Sequence, residues 1–203
     1  MNQPPYPIQL ILYPSGDIAT PEAVALFQFI ADKHGSQRRK YTREPYTNHL
    51  VTVAENVWLH TADHDAVAAA LAHDVLEDTP CTITELHNAL TNTGYTNAAA
   101  ITALVIDLTD VYTTEAYPAL SRSERKAREH ERMRTIAPLA QTIKYCDVMD
   151  NAVSICEHDN GFAVTYLREV THLLDILREG NPATRSAARA LLADLMERYS
   201  IRL

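Results

Sequence analysis

Three features of this 203-residue sequence predict an all-α fold. Glycine is scarce, with five in the chain, so few positions favour a left-handed turn over continued helix. Alanine-rich stretches such as 62–71 and 98–104 carry apolar residues three and four apart, the recurrence that an amphipathic helix requires. No stretch competes with the alternation of a half-buried strand. A hydrophobic content of 46% is enough to bury a core, and the length suits one domain over residues 1–203.

Taken in order, residues 1–19 read as an extended N-terminal arm whose apolar patch, Ile8 to Leu12, suits packing on the domain or on a neighbouring subunit. Thr20 before Pro21 starts a helix over about 20–34, because proline is tolerated at the first helical position. Helices follow at about 47–60, 65–77, 83–92, 95–109, 122–134, 138–157, 162–178 and 183–199. Thr82 with Glu85 and Ser121 with Glu124 each have capping-box spacing. Gly94, Asn160-Gly161 and Gly180-Asn181-Pro182 read as stops. Two long irregular stretches remain, Gly35 to Tyr46 and Asp110 to Leu120, and loops of that length in a compact domain are often functional.

The net charge of -8 argues against nucleic-acid or anionic-membrane binding, which needs a broad basic face. Any anionic ligand must therefore meet a local cluster of cations. Cys81, Cys146 and Cys156 form neither a CxxC pair nor an even set, so a reducing cytoplasm is the expected setting. No leader pattern and no apolar run of membrane-spanning length is seen.

The chemistry concentrates in Leu71-Ala72-His73-Asp74-Val75-Leu76-Glu77-Asp78-Thr79-Pro80. Glu77 and Asp78 lie three to five positions beyond His73 and Asp74, so part of the set shares a helical face. Carboxylates at a helix C-terminus oppose its dipole and call for a compensating cation, which a divalent metal would supply. His49, after Pro45-Tyr46-Thr47-Asn48, and Asp147, in a polar interruption of an apolar helix, complete a plausible set of two imidazoles and two carboxylates. Mixed nitrogen and oxygen donors suit Mn, Fe, Co, Ni or Zn better than Ca or Mg. Asp150 reads as exposed charge and His34 as closing the first helix, while Lys144 is suited either to neutralising a carboxylate or to touching substrate.

In their order, His34 to Lys40, Pro45 to His49, His73 to Thr79, Thr109-Asp110, and Lys144 to Asp147 with Asn151 resemble the hydrolase domain of the RelA/SpoT homologue family, in its small alarmone hydrolase form. The resemblance implies a helical bundle of the HD-domain type in which His49, His73, Asp74 and Asp147 hold one Mn²⁺. It also implies that Glu77 and Asp78 orient or deprotonate the attacking water. The implied reaction removes pyrophosphate from the ribose 3′ position of guanosine or adenosine alarmones (ppGpp, pppGpp, ppApp).

Arg38, Arg39, Lys40 and Arg43 supply the local positive charge before His49. By resemblance, Arg39 and Lys40 meet the base and phosphates, Asn151 the sugar or base, and Tyr166 the nucleotide. Arg125 and Lys126 correspond to phosphate-facing positions. Three departures stand out: Arg43-Glu44 replaces the glycine context before Pro45-Tyr46, Val148 replaces a lysine, and Phe162 an arginine. Alternatives are a related nucleotide phosphatase, such as an NADPH 2′-phosphatase, and a non-catalytic nucleotide-binding antitoxin. The partners expected are a small phosphorylated nucleotide and, functionally, a cognate alarmone-synthetase toxin; the sequence leaves the oligomeric state open.

Overall fold

The first helix, α1 (Pro21–His34), begins where Thr20 accepts a hydrogen bond from the Ala23 N–H, satisfying one of the donors that a helix start leaves open. The computed structural model describes residues 12–202, so most of the apolar patch Ile8 to Leu12 lies outside the described residues. What is described of the arm is anchored: the Leu12 N–H donates to Asn48 Oδ1, Tyr13 packs edge-on to Phe27, and Ile18 is buried. A short 3₁₀ turn at Gly16–Ile18 interrupts the extended path expected there.

α2 (Thr47–Thr61) follows the first long loop and ends at Ala62 in a left-handed conformation. α3 (His64–Ala72) is capped by Asp63, which accepts from the Asp65 and Ala66 N–H groups. Its residues Ala66 to Ala72 are all fully buried, as befits a helix that is apolar all round. Small alanine side chains let α2 and the later helices approach it closely.

The helix expected over 65–77 is in fact two, α3 and a short α4 (Val75–Asp78), separated by His73 and Asp74. Asp74 sits at φ −99°, ψ −3°, and its carbonyl accepts from both the Glu77 and Asp78 N–H groups, so the chain starts a fresh turn. On an unbroken helix neighbouring side chains diverge by about 100°. The break lets the adjacent His73 and Asp74 converge.

α6 (Ala98–Leu108) packs on α3, α5 (Ile83–Asn92) packs on α6 and α1, and α7 (Arg122–Met133) follows the second long loop. Both expected capping boxes form, at Thr82/Glu85 and Ser121/Glu124. α8 (Pro138–His158) is the long central helix, packed by α2, α9 (Asn160–Ile176) and α10 (Pro182–Arg198). Asn160-Gly161 do not stop a helix: Asp159 breaks the chain, and its carboxylate caps the next helix through the Phe162 N–H. Buried apolar residues from α1 to α10 form one connected core. Among the described residues the only β contact is an isolated bridge, Arg38 with Pro45, and no helix is long and apolar enough to cross a membrane.

Candidate active site

Three elements deliver the cluster. His49 lies in the first turn of α2, His73 and Asp74 in the break between α3 and α4, and Asp147 midway along α8. The donor atoms of His49, His73 and Asp74 all lie within 4.8 Å of one another. Asp147 Oδ1 approaches His49 Nε2 at 3.3 Å and His73 Nε2 at 3.8 Å, while Asp74 Oδ2 is 3.0 Å from His73 Nε2.

The tautomers follow from what each ring touches on its other side. His73 Nδ1 lies 2.8 Å from the Ala70 carbonyl, which only accepts, so Nδ1 carries the proton and Nε2 presents a lone pair. His49 Nδ1 lies 2.6 Å from Asp150 Oδ2, and the same reasoning applies. Both Nε2 atoms are buried without a hydrogen-bond partner. Two such lone pairs facing two carboxylates repel unless a cation or proton lies between them, and this donor set fits a divalent transition metal.

Without an ion, protons would answer the same repulsion. Burial works against the His73 and His49 imidazolium forms, yet the neighbouring carboxylates outweigh it and raise both rings above their ordinary value. Burial likewise opposes ionisation of Asp74 and Asp147. The imidazoles, with Lys144 for Asp147, overcome it and hold both carboxyls below the usual range.

A second ring fixes the first. Lys144, Asp147 and Asn151 recur three and four apart on α8, so they share a face. Lys144 Nζ lies 2.7 Å from Asp147 Oδ2, and Asn151 Nδ2 donates to Asp147 Oδ1 at 2.6 Å. Tyr46 OH donates to Asp74 Oδ2 at 2.7 Å. Asp150, expected to be exposed charge, instead bridges His49 and Arg39 with its side chain only 19% exposed. Its place three residues after Asp147 was the sequence signal that could have found it.

Glu77 and Asp78 line a cleft of ≈ 230 Å³ that also exposes Asp74, Lys144, Asp147 and Tyr166. A second cavity of ≈ 630 Å³ continues it along the loop from Asp110 to Glu115. Although Glu77 reaches solvent, desolvation by the surrounding cleft and the nearby Asp110 carboxylate push it up to about 7. The Asp110 N–H donates to Glu77 Oε2 at 2.9 Å, and Asp110 Oδ2 pairs with Lys126 at 2.8 Å. The buried Glu129 carboxylate anchors this loop by accepting from the Val111 and Tyr112 N–H groups, at 2.9 and 3.0 Å.

The predicted substrate contacts divide. Lys144, Asn151, Tyr166 and Lys126 line the cleft, and Arg125 lines its continuation while donating to the Leu120 carbonyl. Arg39 does not offer a free guanidinium: it is buried, with Asp150 at 2.8 Å and Asn151 Oδ1 at 2.9 Å. Lys40 lies over the Tyr41 ring and near Asp159, and exposed Arg43, at φ 62°, occupies the loop's turn; neither lines the cleft. Arg122, for which the sequence carried no signal, does line it, gripped by Glu169 at 2.9 and 2.7 Å.

Comparison with known proteins places this geometry among relatives. A family model described as HD domain matches residues 27–155. Over 60 residues the chain is 45% identical to a guanosine-3′,5′-bis(diphosphate) 3′-pyrophosphohydrolase of Aquifex aeolicus, a match covering 30% of this chain and 8% of that protein. Over 127 residues it is 32% identical to the Drosophila melanogaster MESH1 enzyme of the same name, covering 61% of this chain and 64% of that one. The mouse MESH1 enzyme matches at 34% over 127 residues, 61% of this chain and 63% of its own. The matches therefore span less than two thirds of these relatives. A solved structure, described as a metazoan orthologue of SpoT that hydrolyses ppGpp, superposes with a TM-score of 0.70 at 24% identity, over 95% of this chain and all of that one. At that identity the likeness establishes the fold.

Proposed function

Since the chain belongs to the HD-domain family, we propose that it is a metal-dependent phosphohydrolase that releases pyrophosphate from the 3′ position of guanosine or adenosine alarmones such as ppGpp and ppApp. The observation that carries this reading is the pair of buried, unpartnered Nε2 lone pairs of His49 and His73, aimed at two carboxylates beside Glu77 and Asp78. The names borne by the relatives supply the substrate class.

His49, His73, Asp74 and Asp147 would hold the metal, and Mn²⁺ suits two nitrogen and two oxygen donors. When bound, the ion supplies Lewis acidity and offsets charge on the phosphoryl oxygens. The remaining work falls to the protein. Hydrolysis forms a bond from water oxygen to phosphorus and breaks the bond from phosphorus to the ribose 3′ oxygen, so the water must lose a proton and the departing oxygen gain one. Glu77, held near 7, is suited to accept the water's proton at neutral pH. Asp78 on the same wall serves proton transfer beside it. Lys126, Lys144 and Arg122 line the cleft, paired with Asp110, Asp147 and Glu169, and would turn from those carboxylates to receive a polyphosphate.

In a cell the implied partner is functional, an alarmone synthetase whose product this chain removes. A cytoplasmic setting, where the free Cys81, Cys146 and Cys156 stay reduced, belongs to the same reading. The test is to incubate purified protein with Mn²⁺ and ppGpp, ppApp, NADPH or common nucleotides, following pyrophosphate and phosphate separately. Pyrophosphate from ppGpp or ppApp is expected. Phosphate from NADPH alone, or nucleotide binding without turnover, overturns the proposal.

A further inference from the structure

Glu77 is steadied by the backbone of the Asp110 loop, but Asp78 stands at the exposed wall of the cleft, where a free carboxylate would sample several rotamers. Its partner is unexpected. Gln37, from the loop after α1, donates through Nε2 to Asp78 Oδ2 at 2.9 Å. The amide's other end faces His34, with Gln37 Oε1 2.7 Å from His34 Nδ1.

Chemistry fixes the direction of this chain. An ionised carboxylate only accepts, so the Gln37 amide must turn its N–H toward Asp78 and its carbonyl toward His34. That carbonyl in turn requires the His34 proton on Nδ1. His34 is itself immobile: it is 6% exposed, its ring stacks on Tyr46 with centroids 5.1 Å apart and planes 21° apart, and its Nε2 is buried without a partner. Gln37 is clamped through its backbone as well, its N–H donating to the His34 carbonyl at 3.0 Å and its carbonyl accepting from the Tyr46 N–H at 3.1 Å. Gly35, at φ 54°, makes the reversal that brings Gln37 back beneath His34.

We propose that His34 and Gln37 are positioning residues that hold Asp78 by its Oδ2 atom and so reserve Oδ1 for the reaction. Among the described residues no donor reaches Oδ1. The inference rests on the reading of Asp78 as a proton-handling carboxylate of a hydrolytic site. One histidine thereby supports both carboxylates of the motif: Asp78 through Gln37, and Asp74 through the stacked Tyr46, whose hydroxyl donates to Asp74. Fixing a reacting group within a fraction of an ångström is what such a chain contributes, since misplacement by about 1 Å can cost on the order of 100-fold in rate.

The test is a double-mutant cycle on the Mn²⁺-loaded protein joined to a spectroscopic reading of His34. Gln37→Leu should lower kcat by about 10- to 100-fold, with KM and Mn²⁺ affinity each changed less than about threefold. In an Asp78→Asn background the same change should lower kcat less than about twofold, because the group it positions is already disabled. Equal losses in both backgrounds, or no loss in the first, overturn the proposal. Gln37→Met repeats the cycle if leucine disturbs folding. Independently of activity, ¹⁵N–¹H couplings of the His34 ring should show the Nδ1–H tautomer; an Nε2–H pattern overturns the hydrogen-bonded chain. If the wild type hydrolyses nothing, the functional reading falls, and the ring pattern still decides whether Asp78 is held as described.

Discussion

Replacing Asp150 with alanine separates two effects that the structure assigns to one carboxylate. Asp150 Oδ2 lies 2.6 Å from His49 Nδ1 and 2.8 Å from Arg39 Nη2, and the Asp150 and Arg39 side chains are 19% and 10% exposed. In Asp150→Ala the Arg39 charge keeps only Asn151 as a partner. Removing one member of a buried pair costs about 3–5 kcal/mol, and the partial exposure here brings the loss to the bottom of that range or just below it, about 2–3 kcal/mol. For a chain of this size that corresponds to a fall in melting temperature of roughly 4–12 °C, measured in EDTA to exclude metal effects. The second effect is on His49. Without an acceptor at Nδ1 its tautomer and ring orientation are no longer set, and loss of such a supporting partner weakens metal binding about 10- to 100-fold. Titration calorimetry with Mn²⁺ measures this directly. Adding Arg39→Met to Asp150→Ala should recover much of the stability, since no charge is then orphaned, while Mn²⁺ affinity stays low. An Asp150→Ala protein that binds Mn²⁺ within about twofold of wild type would refute the assignment of Asp150 as the group that orients His49.

Asp74→Ala and Asp147→Ala should lose bound metal and turnover together, whereas Glu77→Ala should keep its metal and lose about 100-fold or more in kcat, read by elemental analysis beside the pyrophosphate assay. Metal loss in the Glu77 variant would reassign that residue. His130 gives a pH prediction: burial, then Lys126 and His172, depress its imidazole to about 4. A depressed folded value means the unfolded chain takes the proton first, so this contribution is complete above about 6.5 and is lost as pH falls toward 4, at about 3 kcal/mol in all. Denaturant unfolding of His130→Gln should show a shallower stability decline across that window; equal slopes would contradict it. At Gly180 an added Cβ would lie 2.6 Å from Tyr145 Cε2 and 2.9 Å from its hydroxyl, which donates to the Leu177 carbonyl. Gly180→Ala should therefore cost about 1–3 kcal/mol by overpacking, checked by thermal unfolding.

The sequence by itself determined the helical fold, because helix starts and stops are written in local chemistry. Thr20-Pro21, Thr82 with Glu85, and Ser121 with Glu124 each satisfy backbone donors within a few residues, and each forms as the sequence predicts. It also drew His49, His73, Asp74, Asp147, Glu77 and Asp78 together, as polar residues at a helix start, a helix end and a polar interruption whose order resembles that of a known family. Local reading was off by a residue or two where a side chain set the boundary, as when the Asp159 carboxylate capped the next helix and placed the break just before Asn160-Gly161.

Tertiary structure decided everything that depends on distant groups meeting. The commitment of Arg39 to Asp150, the arrival of Arg122 at the cleft and the chain from His34 through Gln37 to Asp78 each join residues on separate helices or loops. Charge and hydrogen-bonding energies fall steeply with distance, so a residue's role follows from its neighbours within a few ångströms. Those neighbours are fixed only when the helices pack.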